Sequence, residues 1–263
     1  MRNQDKISHD VLLHESSSYK DEDMDITRMR TEHPQKEVID VLLRNSKEFQ
    51  AFYSDNKTTL EKLRIHWYVN PNLVNGLCKP LNRETYEIVL NSIPSQKEKA
   101  MVVAHELYHC ILCYSRYPIL RGFRVIRCQG IMAALMSMVY DSYINLKLRD
   151  YFGNGCQLIK LSSQQYFENK LKNRKNIGDE SEIGTLFLFV NFQLIFEILC
   201  NTADIQDSNF FRWFDRYRPD IVTKSIELIS LIKSTNMDEP EYAKELFQEI
   251  IKRYPSLEPI QVV

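Results

Sequence analysis

Two histidines four residues apart, His105 and His109, with Glu106 beside the first, constrain this chain more than any other feature. In an α-helix, residues i and i+4 project from the same face, one turn apart. Both imidazoles then reach a single point and can share a tetrahedral metal ion. In a strand the same two residues lie about 13 Å apart. If the motif is to work, it must sit on a helix. Glu106 is then close enough to take a proton from an activated water. A pattern this short arises by chance about 0.01 times per shuffled copy of this composition. Its surroundings therefore have to decide.

Those surroundings predict a buried helix. Ser95 followed by Glu98 is a capping box, in which each side chain satisfies a backbone N–H at the helix start. Ala100-Met101-Val102-Val103-Ala104 is apolar and leads into the motif, and the helix is expected to run to about Tyr114, with Pro118 stopping it. Upstream, Tyr86 to Asn91 has the β-branched and aromatic character of a strand. Arg64 to Val69 reads as a second strand, ending at Asn70-Pro71.

A strand, a short turn and a helix carrying His-Glu-x-x-His resemble the core of the zincin metallopeptidases. The likeness covers roughly residues 60–150, and its specific part is the pentapeptide 105–109. It implies a peptidase with one catalytic Zn2+ held by His105 and His109, and Glu106 as the general base. It also implies that residues 86–91 line the cleft and pair with an extended substrate.

Such a site needs a third protein ligand. No histidine follows His109, which excludes the pattern with a third downstream histidine. Asp141 is the expected ligand. It lies in a run from Gly130 to Asn145 that reads as a helix apolar nearly all round. An unpaired carboxylate there costs several kcal/mol, so a cation partner is required. Asn145, one turn on, would orient a ligand. The Asp-x-x-Ile-Asn pattern loosely resembles bacterial metallopeptidases with aspartate as third ligand. The competing reading pairs Asp141 with Arg121, Arg124 or Arg127. Glu168, Glu180, Glu182 and Glu197 are alternative acidic ligands. Peptide deformylases take an upstream cysteine instead, a role open to Cys78, although their characteristic sequence around that cysteine is missing here.

The rest of the chain sets the frame. Only 7 glycines in 263 residues argue for much helix and few tight hairpins. The expected class is α+β, mostly helical, with a small sheet beside the active-site helix and a C-terminal helical subdomain. Residues 1–34 read as a flexible polar leader, 35–160 as the zincin-like core and 161–263 as helices packed on it. Lys36 to Tyr53 reads as one amphipathic helix. A net charge of −1 makes no global case for nucleic acid or a membrane surface. Residues 184–200 are the most hydrophobic stretch, but Asn191, Gln193 and Glu197 interrupt it, so a core helix is expected rather than a membrane span. No apolar h-region opens the chain, so a cytoplasmic location with six reduced cysteines is expected. Cys110 and Cys113 read as small buried helix residues. His66 reads as a solvent-side strand residue, and His9, His14 and His33 as surface groups. The sequence carries no signal for oligomeric state.

Three classes of function follow. The first is a zinc peptidase acting on protein or peptide substrates, loosely similar to the ImmA/IrrE group of intracellular peptidases that cleave repressors. The second is a zinc-binding regulatory or interaction protein with a zincin-like fold and no protease activity. The third is a helical scaffold in which the motif is accidental.

Overall fold

The computed structural model describes residues 31–71, 76–92, 99–122, 126–153, 182–199 and 209–263. The class is α+β and mostly helical. Strand β1 (Thr31–His33) is followed by helices α1 (Gln35–Asn45) and α2 (Lys47–Leu60), then β2 (Arg64–Val69), β3 (Leu77–Pro80) and β4 (Thr85–Leu90). Next come α3 (Ala100–Tyr114), β5 (Leu120–Gly122) and α4 (Ile126–Phe152). The C-terminal part holds α5 (Glu182–Leu199), α6 (Asn209–Tyr217), α7 (Pro219–Ser234) and α8 (Pro240–Arg253), then a 3-10 turn (Pro255–Leu257) and β6 (Ile260–Val262).

The first four strands form one mixed sheet in the order β1-β2-β4-β3. β2 and β4 run parallel, while β1 and β3 pair antiparallel at the two edges. One face is apolar, because alternate residues of a strand share a face. Trp67, Cys78, Tyr86, Ile88 and Leu90 all point there and are buried. α3 lies against β3 and β4, with α2 and α4 packed beside it. That setting explains why α3 is apolar almost all round. Phe52 of α2, Tyr108 of α3 and Tyr143 of α4 meet in series across the three helices, the first pair tilted and the second edge-to-face.

Several sequence expectations change. Lys36 to Tyr53 is not one helix. Ser46 is extended, its Oγ accepts from the Phe49 N–H, and it caps a new helix that runs on to Leu60. Thr31–His33, placed in the leader, forms edge strand β1, while residues 1–30 lie outside the described residues. The expected pairing of residues 86–91 with a substrate does not hold. β4 is bonded to β2 on one side and β3 on the other, so its ladder is complete. Among the described residues, the free edge near α3 belongs to β3 instead. Leu81 N–H bonds Thr85 C=O, which makes Leu77 and Lys79 the inward-bonding residues of β3 and turns the backbone groups of Cys78 and Pro80 outward. Pro80 is tolerated for that reason: its missing N–H would point off the sheet.

α3 ends at Tyr114, as its sequence suggests, but the stop is not Pro118 alone. Arg116 adopts a left-handed φ of 66°, with Arg116 N–H on Cys113 C=O and Tyr117 N–H on Leu112 C=O. This is a Schellman closure with arginine in the position that favours glycine. The proposed cap at Ser95 and Glu98 lies outside the described residues.

Of the C-terminal helices, α5 packs on α4 in the most extensive helix–helix contact of the fold, and α7 packs in turn on α5. The tail is also pinned near the α3–α4 connection. β6 pairs with β5, Tyr117 Oη donates to Met237 C=O, and the Tyr140 ring packs against Phe247. Tyr143 Oη donates to Asp238, which also pairs with Lys147 at 2.6 Å. Among the described residues no helix is long and apolar enough to cross a membrane. α5 is the core helix expected of residues 184–200.

Candidate metal centre

The centre is built by two helices. His105 and His109 stand one turn apart on α3, with ring nitrogens Nε2···Nε2 at 3.1 Å. Asp141 comes from α4. Its Oδ1 is 3.6 Å from His105 Nε2 and 3.3 Å from His109 Nε2. The phase of α4 makes this possible: Tyr140 packs on Phe247, and Tyr143 and Lys147 reach Asp238, which leaves Asp141 and Asn145 on the face toward α3.

The three donor atoms suit one ion. Tetrahedral zinc with ligand bonds of about 2.0–2.1 Å sets its ligand atoms about 3.3–3.4 Å apart. The three observed separations straddle that value. Two imidazoles and a carboxylate are also a donor set that zinc accepts, with a fourth position left for water. Side-chain exposures of 14% for His105, 19% for His109 and 18% for Asp141 leave that fourth side reachable from solvent. Among the described residues, this is the one group of three or more histidine, cysteine, aspartate or glutamate side chains able to hold a metal ion.

Electrostatics bind the cluster together. Burial alone would raise the Asp141 carboxyl, but the two imidazoles outweigh it and hold the group well below the usual carboxylate range. Burial alone would lower His105. Asp141, with help from Glu106 and Asn145, reverses this and raises it. Glu106 is raised chiefly by burial, against the opposing pull of the two histidines.

Asn145 stands one turn beyond Asp141 and is 1% exposed. Both atoms of its amide, and His105 Nδ1, are buried without a hydrogen-bond partner. The amide is near enough to favour the protonated imidazole, yet it stops short of hydrogen-bond geometry. A buried orphan donor next to a buried orphan acceptor is costly unless the pair closes. If His105 Nε2 coordinates a metal, Nδ1 must carry the proton, and Asn145 Oδ1 is the acceptor beside it.

β3 supplies a part of the site that sequence reading missed. The Cys78 backbone N–H faces the Glu106 carboxylate and favours its charged form, against the rise that burial causes. Gly76, just before β3, lies directly against the same side chain. A Cβ there would stand 2.6 Å from Glu106 Cγ and 2.7 Å from Oε1. Nothing local in the sequence ties Gly76 to a side chain thirty residues on.

The other candidates fall elsewhere. Cys78 Sγ is 3.3 Å from Cys110 Sγ in the core, outside the three-donor cluster, so the cysteine-ligand alternative is set aside. Cys113 sits near the Tyr86 hydroxyl, also away from the metal donors. Glu182 pairs with Lys224, and Glu197 with Lys233 and Gln193. Glu168, Glu180, Arg124 and the Arg127 side chain lie outside what the structure describes. Among the described residues, the ionisable partners at Asp141 are the two histidines. His66 is on the solvent side of β2 near Glu32, and His33 contacts Glu37. The hydroxyls of Tyr140 and Tyr143, which flank Asp141, are engaged by Pro118 and Asp238 and so are not poised to stabilise an oxyanion.

Comparison with known proteins adds no relative: no protein-family model matches the chain, and no curated protein or solved structure shows significant similarity to it.

Proposed function

We propose that this protein is a zinc-dependent peptidase that hydrolyses protein or peptide substrates inside the cell. The observation that carries the reading is the junction of two things: a two-histidine, one-aspartate donor set, and a buried glutamate from the same helix turn held at the free edge of β3. A metal site alone would need no such glutamate.

His105, His109 and Asp141 would hold the ion, with Asn145 fixing the ring of His105. Bound zinc would bring the pKa of a coordinated water toward neutrality and polarise a substrate carbonyl. Glu106, raised by burial, is suited to accept a proton from the attacking water and to return it to the departing amine. The outward edge of β3 presents the carbonyls of Cys78 and Pro80 as acceptors for the N–H groups of an extended peptide beside Glu106. Three free thiols, Cys78, Cys110 and Cys113, agree with a reducing compartment.

The test is Glu106→Gln. Zinc content should stay at the wild-type level, because the side chain is not one of the three donors, while zinc-dependent hydrolysis of a fluorogenic peptide library should fall at least about 100-fold. Wild-type protein with zinc and no hydrolysis of any peptide or unfolded protein would refute the peptidase reading in favour of a zinc-binding interaction protein. So would a Gln variant as active as wild type.

A further inference from the structure

Behind the metal centre, two thiols meet across the interface of sheet and helix. Cys78 of β3 and Cys110 of α3 place their sulfurs 3.3 Å apart in the core. Both residues are also tied to Glu106. The Cys78 N–H faces its carboxylate, and Cys110 Sγ donates to its main-chain carbonyl at 3.4 Å. A disulfide bond is about 2.05 Å long, so joining these sulfurs requires them to close by about 1.2 Å. α3 is wedged between sheet, α2 and α4, whereas β3 is an edge strand bonded on one side. The strand is therefore the part that moves. It carries Gly76 and the Cys78 N–H, and there is no slack between Gly76 and Glu106.

We propose that a peroxide oxidises Cys78 and Cys110 to a disulfide that shifts β3 against Glu106 and switches hydrolysis off while the metal ligands stay in place. The regulatory consequence rests on the peptidase reading; formation of the bond does not. The Cys78 sulfur attacks one oxygen of hydrogen peroxide, the O–O bond breaks, one water leaves, and Cys78 becomes a sulfenic acid. The Cys110 sulfur then attacks the Cys78 sulfur, the S–O bond breaks, and the hydroxyl leaves with the remaining thiol proton as a second water. Two thiols lose two hydrogens, and one peroxide becomes two waters. Cys78 reacts first because it is on the edge strand and 4% exposed, against 0% for Cys110. Such burial favours a small oxidant such as peroxide over a bulky disulfide of the glutathione class. A small dithiol restores the pair.

The experiment treats zinc-loaded full-length protein with hydrogen peroxide and compares it with Cys78→Ser, Cys110→Ser and Cys113→Ala. Wild type and Cys113→Ala should lose about two mass units, with peptide mapping linking residues 78 and 110. Zinc should remain bound, exchange of the Cys78 amide hydrogen should accelerate, and hydrolysis should fall about 100-fold, as expected for displacement of a reacting group by about 1 Å. Dithiothreitol should reverse all of these. The two serine variants should form no link. Thiols 78 and 110 that stay separate in the folded protein overturn the proposal. A 78–110 link that leaves amide exchange and rate unchanged overturns it equally. Should the reduced protein hydrolyse nothing, the peptidase reading fails, and the map and the Cys78 amide still decide whether oxidation moves β3.

Discussion

Replacing Asp141 with alanine removes the one donor that comes from outside α3, and so tests the assembled centre apart from the motif. Two donors of three remain. Structural zinc sites with four protein ligands bind with about 10–16 kcal/mol, or about 3 kcal/mol per ligand. At about 1.4 kcal/mol per factor of ten, zinc affinity should drop roughly 100-fold. Asp141→Asn keeps the volume and offers a neutral oxygen, so its loss should lie between the two. The substitution also acts on the metal-free protein. The Asp141 carboxyl is depressed in the fold, so it contributes stability above its unfolded value, about 3.9, that is lost as pH falls through the folded value. His105 is raised, so its contribution is full below about 6.5 and is lost as pH rises through its folded value. The pair thus stabilises the apo-protein most between about pH 4 and about pH 6.5. Asp141→Ala should destabilise it more at about pH 5.5 than at about pH 8 in urea melts. Zinc affinity is read by competition with a chromophoric chelator. An Asp141→Ala protein that binds one zinc with wild-type affinity would refute the three-donor centre.

Other perturbations separate the remaining parts. Gly76→Ala puts a methyl group about 0.8 Å inside ordinary contact with Glu106 Cγ, taking about 3.4 Å as the limit. Because a side chain rather than backbone must yield, stability should change by no more than about 1–2 kcal/mol, while hydrolysis falls about 100-fold with zinc retained; unchanged turnover would place Glu106 outside the reaction. Asn145→Ala should weaken zinc 10- to 100-fold, as loss of a group orienting a ligand does, and restoration by Asp but not by Leu, seen in chelator competition, would separate orientation from packing. Arg116→Gly relieves a left-handed arginine at an exposed helix end and should stabilise the protein by about 1 kcal/mol in urea melts; no gain would mean that the Arg116 side chain makes a compensating contact.

Much of the local structure was legible because its causes are local. The apolar run from Ala100 to Ala104 and the spacing of His105 and His109 specify a buried helix without reference to the rest of the chain. The same holds for α4 and α5, long enough for their apolar composition to be unmistakable. Ser46 was missed although its effect is also local, because the hydrophobic pattern continues across the break and hides it. β3 and the two-stranded β5–β6 pair were missed for another reason. Strands of three or four residues have almost no periodicity of their own, and they exist because a distant strand offers them a ladder.

The sequence by itself determined that two histidines share a helix face, that a third donor, if present, is not a later histidine, and that a carboxylate at 141 needs a cation. These follow from helical period and from the cost of burying charge. Which carboxylate meets the imidazoles was decided by tertiary structure. Phe247 and Asp238 of the C-terminal part take up Tyr140, Tyr143 and Lys147, and the rotation this imposes on α4 turns Asp141 and Asn145 to α3. Tertiary structure also closed the ladder of β4 and brought β3 to Glu106. No window of sequence contains both sides of such a contact, so the outcome rests on packing between elements rather than on the residues of either one.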